Sequence, residues 1–235
     1  MARRTTNEAR PASTKRPLTQ YYQKIPARVA ELLRRRGFQE LMPTQWKSIE
    51  AGLFDDENLL VCTPTASGKT LVAELAILNA VLHDKGKAVY VAPLRALASE
   101  KFKSFKKHYP SLKTAMTTGD VDSDDAYLAR YDVIVTTSEK LDSLLRHKTP
   151  WLSRVKCVII DEVHLLNDAS RGPTLEVVIT LLQTLLPHLH LVALSATIGN
   201  PEELAEWLGA TLVRDSWRPT KLYQGVYLDG EITFL

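Results

Sequence analysis

From residue 58 onward, short wholly apolar runs alternate with longer stretches in which apolar residues recur every three to four positions. Asn58-Leu59-Leu60-Val61-Cys62 reads as a first core strand, because a strand covered by helices on both faces has no polar side to show. The same pattern predicts helices over 71–82, 94–107, 138–146, 174–186 and 202–208, and strands over 88–92, 114–117, 133–136, 155–160 and 189–194. Strands and crossover helices taking turns predict an α/β domain: a mostly parallel sheet with helices on both faces, three layers in all. Upstream, Ile25, Val29, Leu32 and Leu33 stand at helical spacing with Gly37 as a stop. Thr44 then stands as a candidate N-cap for a helix with Gln45, Ile49 and Leu53 on one face. Residues 2–19 carry no period and read as disordered, so an arm is expected over 1–24 and the α/β domain over 25–218. Pro219 breaks the pattern, and 219–235 reads as a linker or the start of another domain, with two short strands around Asp229-Gly230.

The stretch with the most chemistry joins the first strand to the first crossover helix: Val61-Cys62-Thr63-Pro64-Thr65-Ala66-Ser67-Gly68-Lys69-Thr70. A strand running into a small-residue turn that ends Gly-Lys-Thr at a helix start is a phosphate-binding loop. Backbone N–H groups from Thr65 through Thr70 and the open helix end cradle an anion, and Gly68 lets the chain approach it closely. Lys69 would reach the β/γ-phosphates and the Thr70 hydroxyl would hold Mg²⁺. Thr63 stands where the general pattern has Gly, so the loop differs from the form common in nucleotide kinases.

About 90 residues further on, the apolar strand Val158-Ile159-Ile160 delivers Asp161-Glu162-Val163-His164 at its C-terminal end, where open α/β sheets bind ligands. Asp161 suits a Mg²⁺ ligand and Glu162 the base that orients and deprotonates a water. Alone, such a pair could equally be a solvated acidic strand end; the loop upstream favours the chemical reading. His164 by itself reads as an exposed loop histidine.

At 235 residues, 45% hydrophobic and 24% charged, the chain has enough material for one large α/β domain. Its two cysteines, Cys62 and Cys157, fall in apolar runs without metal-ligand spacing, which points to a reduced, intracellular protein. No apolar run approaches a membrane span and no signal peptide opens the chain, so a cytoplasmic protein without a membrane partner is expected. Residues 1–36 carry a net +8 of the chain's overall +3, which leaves the remainder at −5. This argues against a surface that coats nucleic acid uniformly and confines a strong electrostatic footprint to the arm or to local patches, the arm itself reading equally as a solvated tail.

The loop, the Asp-Glu-Val-His run and Leu194-Ser195-Ala196-Thr197 together resemble the core of superfamily 2 helicases, in the D-E-x-H subgroup that includes archaeal DNA repair helicases and RNA-exosome helicases. The resemblance accounts for Thr63 and extends from Ile25 to Val226. It implies a RecA-like fold and an ATP-dependent motor. Lys69 and Glu162 would be catalytic, Thr70 and Asp161 would hold Mg²⁺, and Gln45 would read adenine. His164, Ser195 and Thr197 would couple nucleotide state to movement. Arg95, Thr117, Thr118, Gly119, Thr137 and Ser138 would hold the phosphates of single-stranded or forked DNA, although each hydroxyl singly reads as a helix cap. Asp120 completes the Thr-Thr-Gly-Asp run. The resemblance implies a role in repair, near the nucleoid. RNA as the track, or a nucleotide-dependent binding module without turnover, stay open. Arg171-Gly172 matches the subgroup without a role that the sequence can assign.

Such motors use a second RecA-like domain that supplies arginines to the γ-phosphate, and no second α/β pattern follows Pro219. The chain is accordingly expected to be a part of a longer enzyme, weakly active or inactive alone, since an arginine finger is worth about 10³ to 10⁵ in rate.

Overall fold

The computed structural model of the chain describes residues 14–119, 125–220, 223 and 225–234. Residues 1–13 of the expected arm and Asp120 lie outside the described residues. A two-residue strand β1 (Arg16–Pro17) leads through a helical turn at Leu18–Tyr21 into α1 (Ala27–Arg35), β2 (Glu40–Leu41) and α2 (Pro43–Glu50). The sheet-forming part follows as β3 (Leu59–Cys62), α3 (Lys69–Leu82), β4 (Lys87–Ala92), α4 (Arg95–His108), β5 (Thr114–Thr117), β6 (Val133–Thr137) and α5 (Ser138–Arg146). It continues as β7 (Val155–Ile160), α6 (Gly172–Leu185), β8 (His190–Ser195), α7 (Pro201–Leu208) and β9 (Thr211–Arg214). A hairpin of β10 (Gly225–Leu228) and β11 (Glu231–Phe234) follows.

Strands β3 to β9 form one seven-stranded sheet in the order β5-β6-β4-β7-β8-β3-β9, parallel at each pairing. The two-residue side-chain period of a strand sorts the core into two halves. Leu59, Val61, Cys157 and Ile159 face the side covered by α1 to α4, and Leu60, Cys62, Val158 and Ile160 face the side covered by α5 to α7. Helix α3 is buried continuously from Leu71 to Ala80, which explains its nearly unbroken apolar sequence. Its Glu74 is buried but compensated: Arg36 pairs with it at 2.6 Å and the Tyr109 hydroxyl donates to it at 2.8 Å.

The expected disorder before residue 25 does not hold for residues 14–24. Leu18, Tyr21 and Ile25 are buried in the main core, and Arg16 stacks over the Trp46 ring at 3.5 Å while pairing with Glu50 at 2.7 Å. The Trp46 indole donates to Thr14 O at 3.0 Å, so this segment straps α2 down. Thr44 is likewise no cap. It is the second residue of α2, with Oγ1 buried and unbonded among the described residues, and the helix start is closed instead by Gln45, whose Oε1 accepts the Met42 N–H at 2.8 Å. The edge strand β9, absent from the sequence expectation, adds beside β3 with only Val213 buried. Beyond Pro219 the chain forms the hairpin, turned by Asp229 and Gly230 at φ +49° and +89°, and its strand residues are all exposed.

Candidate nucleotide site and strand track

Strand order decides what meets at the C-terminal edge. Because β7, β8 and β3 are neighbours, the loops after them bring Asp161-Glu162, Ser195 and the phosphate loop together. Because β5, β6 and β4 are neighbours on the other side, Thr117, Thr137 and Arg95 gather apart from that group.

The phosphate loop is held by its own hydroxyls. Thr63 and Ser67 are fully buried with their oxygens 2.8 Å apart, and the Thr63 N–H donates to Ser195 O at 3.3 Å. The departure from Gly at 63 therefore supplies a tie across the loop. Ala66 and Gly68 take φ +62° and +94°, and a Cβ at Gly68 would stand 2.4 Å from Gln45 Nε2, so only glycine fits there. Lys69 opens α3, and its ammonium donates to Thr63 O at 2.6 Å and Pro64 O at 2.9 Å. Burial lowers its pKa, opposed by the charges of Glu162 and Asp161. The side chain is thus centred in the loop and drawn toward the acidic strand end. No side chain caps α3, which leaves its first N–H groups directed at the loop. Thr65, Ala66 and Thr70 are exposed.

On β7 the Asp161 N–H continues the ladder to Val91 O at 3.0 Å, and its Oδ2 accepts the hydroxyl of the buried Tyr90 at 2.6 Å. Burial, reinforced by the Asp161 charge, pushes the Tyr90 pKa well up, so its hydroxyl stays a donor that fixes the carboxylate. Glu162 then takes a left-handed conformation at φ +54°, a strain of roughly 1 kcal/mol for a residue with a side chain, and turns the chain sharply. His164 Nδ1 lies 3.3 Å from Glu162 Oε2. Ser195 is fully buried in register with Cys62, and Thr197 is exposed two residues on.

Gln45 lies behind the loop, 3% exposed, with Nε2 3.4 Å from Gly68 O. Beside it a cavity of about 240 Å³ is lined by Lys15, Gly37, Phe38, Gln39, Glu40, Met42 and Gln45. An aromatic ring, a thioether and amides around such a space suit a flat heterocycle.

Two further oxygens fit a hard cation. Thr70 is exposed beside the loop and its Oγ1 accepts a hydrogen bond from the Lys101 ammonium at 3.3 Å, a contact a metal ion would replace, and Tyr90 aims the Asp161 carboxylate. Among the described residues no three His, Cys, Asp or Glu side chains form a cage. One carboxylate and one hydroxyl match Mg²⁺, which takes few protein ligands and completes its shell with phosphate and water.

On the other half, Arg95 is exposed at the first position of α4, Thr137 ends β6, and Ser138 opens α5. Thr118 and Gly119 are half-buried. A cavity of about 210 Å³ there is lined by Pro93, Leu94, Arg95, Gly119, Thr137, Glu139, Lys140 and Arg171. Thr117, at the end of β5, does not line this cavity: its hydroxyl donates to Asp125, which also pairs with the buried Lys140 at 3.1 Å. Sequence reasoning missed Tyr90 and Lys101, whose partners Asp161 and Thr70 stand 71 and 31 residues away, and it missed Asp125, which lies in no motif.

A parallel sheet with this loop and a paired carboxylate at the adjoining strand end defines a RecA-like phosphate-loop domain. The chain belongs to the DEAD/DEAH box helicase family, whose sequence model matches residues 42–204. It is 53% identical over 207 residues to the ATP-dependent DNA helicase Hel308 of Pyrococcus abyssi, covering 88% of this chain and 28% of that protein. To the Hel308 of Methanococcus vannielii it is 48% identical over 215 residues, again 88% of this chain and 28% of the relative. It therefore spans less than a third of the length of these relatives. A solved structure of the DUF1998 helicase MrfA bound to DNA and AMPPNP superposes with a TM-score of 0.71 at 26% identity, over 87% of this chain and 31% of MrfA.

Proposed function

We propose that these residues form the ATP-binding motor domain of a DNA helicase acting in repair, working in the cytoplasm at the nucleoid. The observation that carries this reading is the convergence of Lys69, Asp161 and Glu162 at neighbouring strand ends, with the Gln45 cavity behind the loop. In the proposed complex Lys69 releases the Thr63 and Pro64 carbonyls and, with the loop N–H groups, takes the β/γ-phosphates, while the base enters the cavity beside Phe38 and Gln45. Thr70 and Asp161 would hold Mg²⁺, which when bound draws off the charge that develops on the phosphates. Glu162 orients the attacking water and takes its proton, its carboxylate directed by the left-handed turn. Ser195, bonded through its backbone to the loop, and Thr197 pass the loop's state on. DNA rather than RNA is favoured by the relatives' names and by the DNA in the MrfA structure. Single or forked strands would lie along Arg95, Gly119, Thr137 and Ser138.

Helicase action, by this reading, needs a second RecA-like domain facing the loop, and residues 1–235 alone should turn ATP over slowly. The test is a calorimetric titration with ADP and GDP in Mg²⁺. Adenine should be preferred, and Gln45→Ala should erase the preference while leaving phosphate binding. Equal affinity of the unaltered chain for both nucleotides would count against the base cavity.

A further inference from the structure

Arg171 has no role in the scheme above, yet it lines two cavities. One is the 210 Å³ space shared with Arg95, Gly119, Thr137 and Lys140. The other is a narrow cleft of about 10 Å³ bounded by Asp161, Ser138 and Pro93. The local sequence builds this position with care. Asp168 Oδ1 accepts the N–H groups of Ser170 and Arg171 at 3.0 and 2.9 Å, and its Oδ2 holds the Arg171 guanidinium at 2.9 Å. These bonds keep the Asp168 carboxyl well below the usual carboxylate range. Gly172 then opens α6 so close to the preceding turn that a Cβ would meet Leu166 O at 2.2 Å. The tight turn and the aspartate together set the Arg171 side chain in the wall of the cavity it shares with Arg95.

We propose that Arg171 is a strand-binding residue, its guanidinium taking a backbone phosphate of the nucleic acid in the cavity it shares with Arg95. This rests on the strand-track reading of the same edge. Three helix starts, those of α4, α5 and α6, meet at this cavity, and Arg95 and Arg171 bring guanidinium groups to its lining, while the Lys140 ammonium is buried against Asp125. Glu139 is the one carboxylate among those lining residues, at the α5 side of the space. A phosphodiester matches that field, and a planar guanidinium can hold two of its oxygens at once. Asp168 occupies the guanidinium without a ligand and directs it toward the cavity. The same helical turn begins at Glu162, so Arg171 is joined to the nucleotide half by ten residues of tightly bonded chain.

The experiment is a fluorescence-anisotropy titration of residues 1–235 with labelled oligothymidylate over a salt series. It compares the unaltered chain with Arg171→Ala, Arg171→Lys and Arg95→Ala, and records each melting temperature and ADP affinity. Arg171→Ala should weaken strand binding about tenfold at the lowest salt and flatten the salt slope by about 0.7, the share of one single-strand phosphate, with ADP affinity unchanged. Arg171→Lys should keep the slope, since it keeps the charge. If Arg171→Ala matches the unaltered chain while Arg95→Ala loses affinity and slope, the proposal is overturned and the strand track stands. If neither variant changes binding, the strand track falls as well. A loss that Arg171→Lys shares in full and that follows a lowered melting temperature would assign Arg171 to folding and also overturn the proposal.

Discussion

The two halves of the sheet's C-terminal edge are built in opposite ways. At the β7-β8-β3 half, functional groups are bonded to one another: Lys69 to loop carbonyls, Thr63 to Ser67, Asp161 to Tyr90. Two residues with side chains there, Ala66 and Glu162, sit in left-handed conformations. The β5-β6-β4 half is an open cavity where helices begin and Arg95 reaches into solvent, with Lys140 and Arg171 at its wall held by Asp125 and Asp168. A site that must hold one small anion and a reacting water in fixed geometry needs preorganised groups. The strand track proposed for the other half needs charge and N–H groups without base-specific fit.

The largest effect that could break this comparison is Lys69→Ala. Losing the cation that faces the phosphates should cost about 3 kcal/mol, a loss of at least a hundredfold in nucleotide affinity by calorimetry, with strand affinity within twofold. Normal nucleotide binding by that variant would mean the loop is misassigned.

A control lies at the far end of the sheet. His190 starts β8, almost wholly buried, and burial pushes its pKa down to about 4 from 6.5, with Asp56 at 3.8 Å opposing. The unfolded chain therefore binds a proton that the folded chain refuses. Stability should be complete above pH 6.5 and fall by roughly 3 kcal/mol as pH drops toward 4. Chemical denaturation across that window, repeated on His190→Phe, measures it. A slope that survives the substitution would place the acid sensitivity elsewhere, in the carboxylates of the two sites among other groups.

A smaller effect sharpens the nucleotide half. Tyr90→Phe removes the donor that fixes Asp161, and about 1 kcal/mol, near fivefold, should be lost from ADP binding in Mg²⁺. ADP binding in EDTA should not change. Equal losses in both conditions would make Tyr90 a plain core residue. Removal of the chain through residue 24, which strips Leu18 and Tyr21 from the core, should lower the melting temperature in a thermal scan.

Much of the nucleotide half was legible in the sequence because it is contiguous: strand, loop and helix start follow one another, and Asp161-Glu162 directly ends an apolar strand. The parallel sheet was legible for a related reason, since strands buried on both faces write themselves as unbroken apolar runs. What escaped was set by distant partners. Tyr90 and Asp161 meet only because β4 and β7 pair, and the Asp125 that accepts the Thr117 hydroxyl also pairs with Lys140 on α5. The strap over residues 14–24 left a trace in Leu18, Tyr21 and Ile25, at spacings of three and four, but basic and polar neighbours masked it. Strand β9 has too little apolar surface to stand out, because an edge strand is covered on one side only.

One titration tests the division of labour most directly: fluorescent ADP in Mg²⁺ against the unaltered chain, Lys69→Ala and Arg95→Ala. The account predicts that Lys69→Ala loses binding and that Arg95→Ala keeps it within twofold. Loss of ADP binding in Arg95→Ala comparable to that in Lys69→Ala, or its retention in Lys69→Ala, would contradict it.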